Sequence, residues 1–232
     1  MGQYSKGTYD SNNLLRRFAH RYRFSKSIKL IKDSNQKSFI HLLDIGCGDG
    51  YFLHEINQIV NGKFIGYEPY MEESVNDNGY IIFKELDAVH KKMGENNKFD
   101  YITCFEVFEH LNVQLQSYTL QLAYDLLDDS GYFIISVPIE KGFPSLIKNL
   151  FRKISASKGD TYYTWRRIWH SILGIPIPEC RKGEYLYHMG FYFDDLKVLF
   201  NKQFDVCKKF YSPFPLLGYN LNSQVFYVLK KK

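Results

Sequence analysis

The stretch LDIGCGDG, residues 43–50, constrains this chain more than any other. It interrupts an apolar run, Phe39 to Ile45, and residues at helical spacing follow it. The pattern predicts a buried strand, a tight turn and the start of a helix. Such a turn directs backbone N–H groups and a helix N-terminus at a ligand. Spacing narrows the ligand. The glycines are Gly46, Gly48 and Gly50, whereas a dinucleotide-binding turn would also need glycine at position 51, where Tyr51 stands. That glycine lets the helix pack close to the strand over a pyrophosphate. A phosphate-binding loop would need Gly-Lys-Ser/Thr, which the chain lacks. Asp44 precedes the first glycine, and a carboxylate suits an ammonium group better than a phosphate. The turn therefore reads as a site for a cationic nucleoside that carries an amino acid.

LDIGCGDG, FIGYEP (64–69), LDAV (86–89), FDYITCFEVFEHL (99–111) and GYFIISVP (131–138) together resemble, in order and spacing, the motifs of class I S-adenosylmethionine-dependent methyltransferases. The resemblance covers about residues 38–138 and runs more weakly to the end. It implies an α/β fold: a Rossmann-like seven-stranded sheet, six strands parallel and the last antiparallel, with helices on both faces. It also implies S-adenosyl-L-methionine as cofactor and S-adenosyl-L-homocysteine as product. On this basis Asp44, Gly46, Cys47 and Gly48 form the turn at the amino acid, Cys47 through backbone and small size. Glu68, followed by Pro69 and Tyr70, ends strand two and is placed for the ribose hydroxyls. Asp87 and the N–H of Ala88 are placed for adenine, and Phe105 ends strand four beside the sulfonium. Tyr70 reads equally as an adenine-stacking ring or as core, and Asp87 alternatively as a helix cap.

Strands are expected near 39–45, 63–67, 80–84, 99–105 and 131–137, and helices near 49–60, 71–76, 88–94 and 113–128. Alternation of this kind predicts right-handed crossovers and a parallel sheet. DDSG (128–131) is expected to close the long helix on its glycine. After Pro138 the rhythm stops. Residues 139–190 read as an aromatic, basic insertion that lids the acceptor site, 1–37 as a helical cap, and 191–232 as a helix and an antiparallel strand pair of one single domain. Asp194 or Asp195 is expected to cap that helix.

The chain has 232 residues, 45% hydrophobic and 24% charged, ordinary for a globular protein. No apolar stretch reaches the length of a membrane span. The first ten residues lack the apolar centre of a secretory signal, and Lys6 breaks the myristoylation pattern. Four scattered cysteines without a C-x-x-C read as reduced thiols, so a cytoplasmic setting is expected. Net charge is +5 and concentrated in two segments, 14–32 and 141–182. This pattern reads either as solvated helix faces or as the mark of an anionic partner: phosphate, nucleic acid or a membrane surface.

Methyl transfer to a hydroxyl needs a proton removed near the transition state, whereas an anionic phosphate oxygen needs no base. His110 is the first candidate base, with Glu106 and His188 behind it. The alternative for Glu109 and His110 is that they only start the next helix. Arg16, Arg17, His20 and Arg21 are expected to bind the acceptor from an N-terminal helix, and Trp165 and Arg166 from the insertion. No Asn/Asp-Pro-Pro-aromatic motif follows strand four, which argues against DNA adenine chemistry, and no metal is expected. ISVPIEKGFPSLIKNLFRK (135–153), YHMGFYFDDLKVLF (187–200) and SPFPLLGYNLNSQVFYV (212–228) resemble bacterial members associated with surface polysaccharide (capsule or O-antigen) biosynthesis. That resemblance implies a sugar hydroxyl or phosphate-type oxygen of a glycan precursor as acceptor, free or at a membrane surface. RNA or another small molecule, met by the basic segments, is the alternative.

Overall fold

The computed structural model describes residues 14–70, 74–76, 79–94, 98–155, 162–181 and 188–232; the side chains of 14–21, 74–76, 155 and 181 lie outside that description. The elements in order are α1 (Leu14–Ser34), β1 (Ile40–Ile45), α2 (Tyr51–Asn57), β2 (Gly62–Tyr67), β3 (Ser74–Asn76), β4 (Tyr80–Phe83) and α3 (Leu86–Met93). They continue as β5 (Phe99–Phe105), α4 (Val113–Leu126), β6 (Leu127–Pro138), α5 (Gly142–Ser155), α6 (Trp165–Leu173), α7 (Leu196–Phe200), β7 (Phe204–Ser212) and β8 (Gln224–Lys231).

One sheet holds every strand of the described residues, in the order β3-β4-β2-β1-β5-β6-β8-β7. β4, β2, β1, β5 and β6 pair in parallel, and β8 inserts antiparallel between β6 and β7. These are the seven expected strands in the expected directions. The short β3 is an addition, antiparallel to β4 at the edge. Alternation decides which helices cover which face. Leu42, Phe64 and Phe226 face α1 and α2 with Phe24, Ile31 and Phe52. Leu43, Phe133 and Tyr227 face α3, α4 and α7 with Val89, Leu120 and Phe200. All of β5 is buried, as a strand covered on both faces should be.

Three local expectations are corrected. Residues 74–76 form a strand, not a helix, because Val75 pairs with Ile81; residues 71–73 of that expected helix lie outside the described part. α4 ends at Leu126 without a glycine cap, and Gly131 serves the strand instead. A Cβ there would stand 2.9 Å from the carbonyl oxygens of Asp100 and Asp128. Asp195 precedes α7 without a side-chain cap, and Asp194 instead pairs with Lys141 and Lys209. The insertion follows β6 and folds as α5 against α6, with its own cluster of Ile168, Ile177, Cys180 and Met189.

Candidate active site

Five parallel strands end on one edge, and ligands of such sheets sit there. At the end of β1, Gly46 has φ of 73°, and its N–H donates to the Tyr67 carbonyl at 2.8 Å. A Cβ on Gly46 would lie 2.3 Å from Val107 Cγ2, so a larger residue would push the turn off β5. Gly50 closes the turn, its N–H donating to the Cys47 carbonyl at 3.1 Å, and starts α2. Gly66 of β2 was not singled out in the sequence, yet a Cβ there would meet Cys47 Sγ at 2.5 Å. Only glycine in the neighbouring strand lets the turn lie this close. Burial, with the charges of Asp44 and Glu68 beside it, keeps the Cys47 thiol protonated.

The carboxylates are set by this frame. Asp44 is buried and accepts from Thr103 Oγ1 at 2.7 Å. Burial, helped by the charge of Glu68, pushes Asp44 up to about 7 against the pull of Thr103 and Arg23. It is a carboxyl that gains from a cation arriving beside it. Glu68 is held at both oxygens: Gly48 N–H donates to Oε2 at 3.1 Å and Tyr70 N–H to Oε1 at 3.3 Å. Pro69 carries the chain outward, and Tyr70 is 93% exposed, which removes the core alternative for its ring. Asp87 lies exposed in the first turn of α3 with Ala88 behind it, while Glu85 occupies the cap position. Phe105 ends β5 as expected, but its ring packs into the core against Phe52 at 4.9 Å, leaving its backbone at the edge.

These residues fit S-adenosylmethionine: a buried carboxyl for the ammonium, an immobilised carboxylate for the ribose, and a turn whose backbone is open to close approach.

Beyond β5 the chain bends at Glu106, which has φ of 57°, the one positive value outside glycine among the described residues. Left-handed backbone at such a residue costs about 1–3 kcal/mol and tends to mark functional sites. Burial raises Glu106 in spite of Arg23, whose Nη1 lies 3.7 Å from Oε2. Glu109 is fully buried, and burial together with Glu106 holds its carboxyl well above the usual range. His110 Nε2 stands 4.0 Å from Glu109 Oε1, and the His110 ring meets that of His188 edge-on at 4.8 Å. The fold thus joins two candidates that lie far apart in sequence.

His188 is flanked by Glu140, with Nδ1 3.7 Å from Oε1. Burial lowers His188 to about 4 despite that carboxylate, so its ring is neutral at physiological pH. Burial opposes the charge on Glu140, but Lys148 and Arg152 outweigh it and hold the carboxylate at about 2. Arg152 donates to it from Nη1 at 2.8 Å and Nη2 at 3.2 Å. Glu140 and Arg23 were not singled out in the sequence; their only signals were a lone acid after strand five and membership of a basic helix. Trp165 and Arg166 are exposed, and Arg166 donates to Glu179 at 2.9 Å, so neither joins this cluster. Arg16, Arg17, His20 and Arg21 belong to α1, with side chains outside the described part.

A strand–turn–helix on a sheet of this order is the Rossmann-like methyltransferase fold. The chain matches the model of the methyltransferase domain family over residues 15–170 and belongs to that family. It is a class I S-adenosylmethionine-dependent methyltransferase, and S-adenosylmethionine is its cofactor. Among solved structures it resembles the PH0226 protein of Pyrococcus horikoshii OT3, with TM-score 0.59, 15% identity and all of both chains covered. It also resembles magnesium protoporphyrin IX methyltransferase of Synechocystis PCC 6803 with bound SAH, with TM-score 0.57, 13% identity, and 95% and 88% of the two chains covered. At these identities the likeness is one of fold. A sphingolipid C9-methyltransferase of Komagataella phaffii is 28% identical over 110 residues, 41% of this chain. The match spans 22% of that relative's length.

Proposed function

We propose that the protein methylates an oxygen of an anionic, lipid-linked glycan precursor at a membrane surface, with His110 and His188 facing the acceptor. The cofactor supplies a methyl group on a sulfonium. Asp44 holds the ammonium end, Glu68 the ribose and Asp87 the adenine. His110 orients the acceptor oxygen and takes its proton, while neutral His188 and the buried Glu109 fix the imidazole in place. A hydroxyl is favoured over a phosphate-type oxygen, because an oxygen already ionised needs no such pair.

The observation that carries the membrane reading is the outer face of the insertion. Phe143, Ile147, Phe151 and Ile154 follow one another along α5, all more than half exposed. Trp165 and Trp169 on α6 add two exposed indoles, and Lys153 lies 5.5 Å over the Trp165 ring. An amphipathic face of aromatics and aliphatics with basic residues beside it suits an anionic lipid interface. An RNA-stacking site would also expose aromatics, but it sets them along a cationic groove that tracks the backbone, whereas the row on α5 is continued by the aliphatic Ile147 and Ile154. The lipid acceptor named for the Komagataella relative is in keeping with this reading. No comparison speaks for a polysaccharide pathway; that part rests on the sequence resemblance alone.

Incubation with labelled cofactor and three acceptor classes tests the reading: lipid-linked sugar in anionic vesicles, free nucleotide sugar, and RNA. Label in the lipid-linked sugar is the expected result. Label in RNA alone would overturn it, and label in the free sugar alone would remove the membrane.

A further inference from the structure

We propose that Glu109, His110 and His188 form a binding site for a divalent transition-metal ion on the acceptor side of the cofactor. The inference rests on the acceptor site proposed above and deepens it.

Each of the three residues offers one donor atom, and these atoms lie within 4.8 Å of one another. Ligands at about 2.0–2.2 Å from one ion stand about 3.3–3.6 Å apart in a tetrahedral site. Glu109 Oε1 and His110 Nε2 are 4.0 Å apart. Binding needs the widest pair to close by about 1.2–1.5 Å, a movement open to the His110 ring, which is 41% exposed.

The surroundings are those of a ligand set. Glu140 Oε1 stands 3.7 Å from His188 Nδ1. A carboxylate behind an imidazole fixes the ring and raises the basicity of its other nitrogen. Glu140 is in turn held by Arg152 and Lys148, so the outer carboxylate is itself anchored. Glu109 brings a fully buried carboxyl group beside the two rings. A purely structural pair of histidines in edge-on contact needs none of this.

Two imidazoles and one carboxylate favour manganese, iron, cobalt or zinc over magnesium or calcium, which prefer all-oxygen sets. Three protein donors leave positions open, as catalytic sites do and structural sites do not. An acceptor hydroxyl taking an open position becomes more acidic and releases its proton to water. Its oxygen then takes the methyl group from the sulfonium sulfur, which keeps the electron pair of the broken S–C bond. Activation of the acceptor thus passes from His110 as a base to the ion that His110 holds.

The full chain, stripped with chelator, is titrated with Co²⁺ alone and followed by its visible absorption and by calorimetry. Saturable one-to-one binding is expected, lost in His188→Ala and in His110→Ala, and weakened about 10–100-fold in Glu140→Gln. Cofactor affinity, measured on the same samples, should be unchanged and serves as the test of folding. Absence of saturable Co²⁺, Mn²⁺ or Zn²⁺ binding, or binding unaltered in both histidine variants, would overturn the site. Methyl transfer to a hydroxyl that survives chelation would overturn the ion's role and leave the proposed acceptor standing. Should His188→Ala not fold, His110→Ala decides, since its ring is partly exposed.

Discussion

The cofactor edge and the acceptor side lie next to each other and are built on opposite plans. The cofactor edge is mostly backbone. Glycines bring β1, β2 and the turn into contact, and Gly48 N–H and Tyr70 N–H hold Glu68. Every part comes from a short segment at the end of a parallel strand. The acceptor side is side chain against side chain. Glu106, Glu109 and His110 follow β5, Glu140 follows β6, Lys148 and Arg152 stand on α5, and His188 comes from the end of the insertion; Lys148 and Arg152 offset the charge of Glu140. On the proposed function, the first plan would recognise a constant molecule through the main chain. The second would put specificity where substitutions can change it without disturbing the sheet.

The largest effect that sharpens this contrast should come from replacing residues 142–173 by a short linker. Transfer should fall below detection while cofactor affinity stays nearly unchanged, since the insertion packs around its own cluster. Loss of cofactor binding in a folded deletion would merge the two regions.

His110→Ala should reduce turnover roughly 10²–10⁴-fold with cofactor affinity intact, the usual worth of help in removing the acceptor proton, whether His110 takes that proton or holds the ion that acidifies the hydroxyl. Near-normal turnover with an unchanged pH profile would take His110 out of the chemistry.

Gly66→Ala tests the backbone plan from the other side. The new Cβ meets Cys47 Sγ at 2.5 Å and Leu53 Cδ1 at 3.0 Å. Overpacking of this kind costs about 1–3 kcal/mol. Here it should appear as weaker cofactor binding, read by calorimetry, because the glycine turn is what must move.

The smallest effect is a pH dependence. Asp44 is pushed up to about 7 by burial, so below that pH it carries a proton that an arriving ammonium must displace. Cofactor affinity should therefore fall as pH drops below about 7, by at most about tenfold per unit, and level off above it. Asp44→Asn should bind weakly and without that slope. A wild-type affinity flat between pH 5.5 and about 7 would mean that Asp44 is ionised throughout.

Most of the cofactor edge was legible in the sequence, because a strand, a turn and a helix start are local patterns and Asp44 and Glu68 sit at fixed places in them. Gly66 was not, since the need for it arises only when Cys47 folds over the neighbouring strand. β3 was read as helix because three residues carry too little pattern to outweigh a pairing partner in β4. On the acceptor side His110 and His188 were legible singly, as titratable residues near the right edge. Their contact was not, because it depends on how the insertion returns to β5. Glu140 looked like any acid after a strand; what distinguishes it is the pair of cations that α5 brings back to it.

The central claim is that the backbone-built edge holds S-adenosylmethionine through its carboxylates, and direct titration of wild type and Glu68→Ala by calorimetry tests it. Wild type should bind one equivalent. Glu68→Ala should lose about 1.5–3 kcal/mol for each charge-assisted hydrogen bond removed. No binding to wild type, or equal affinity in Glu68→Ala, would contradict it.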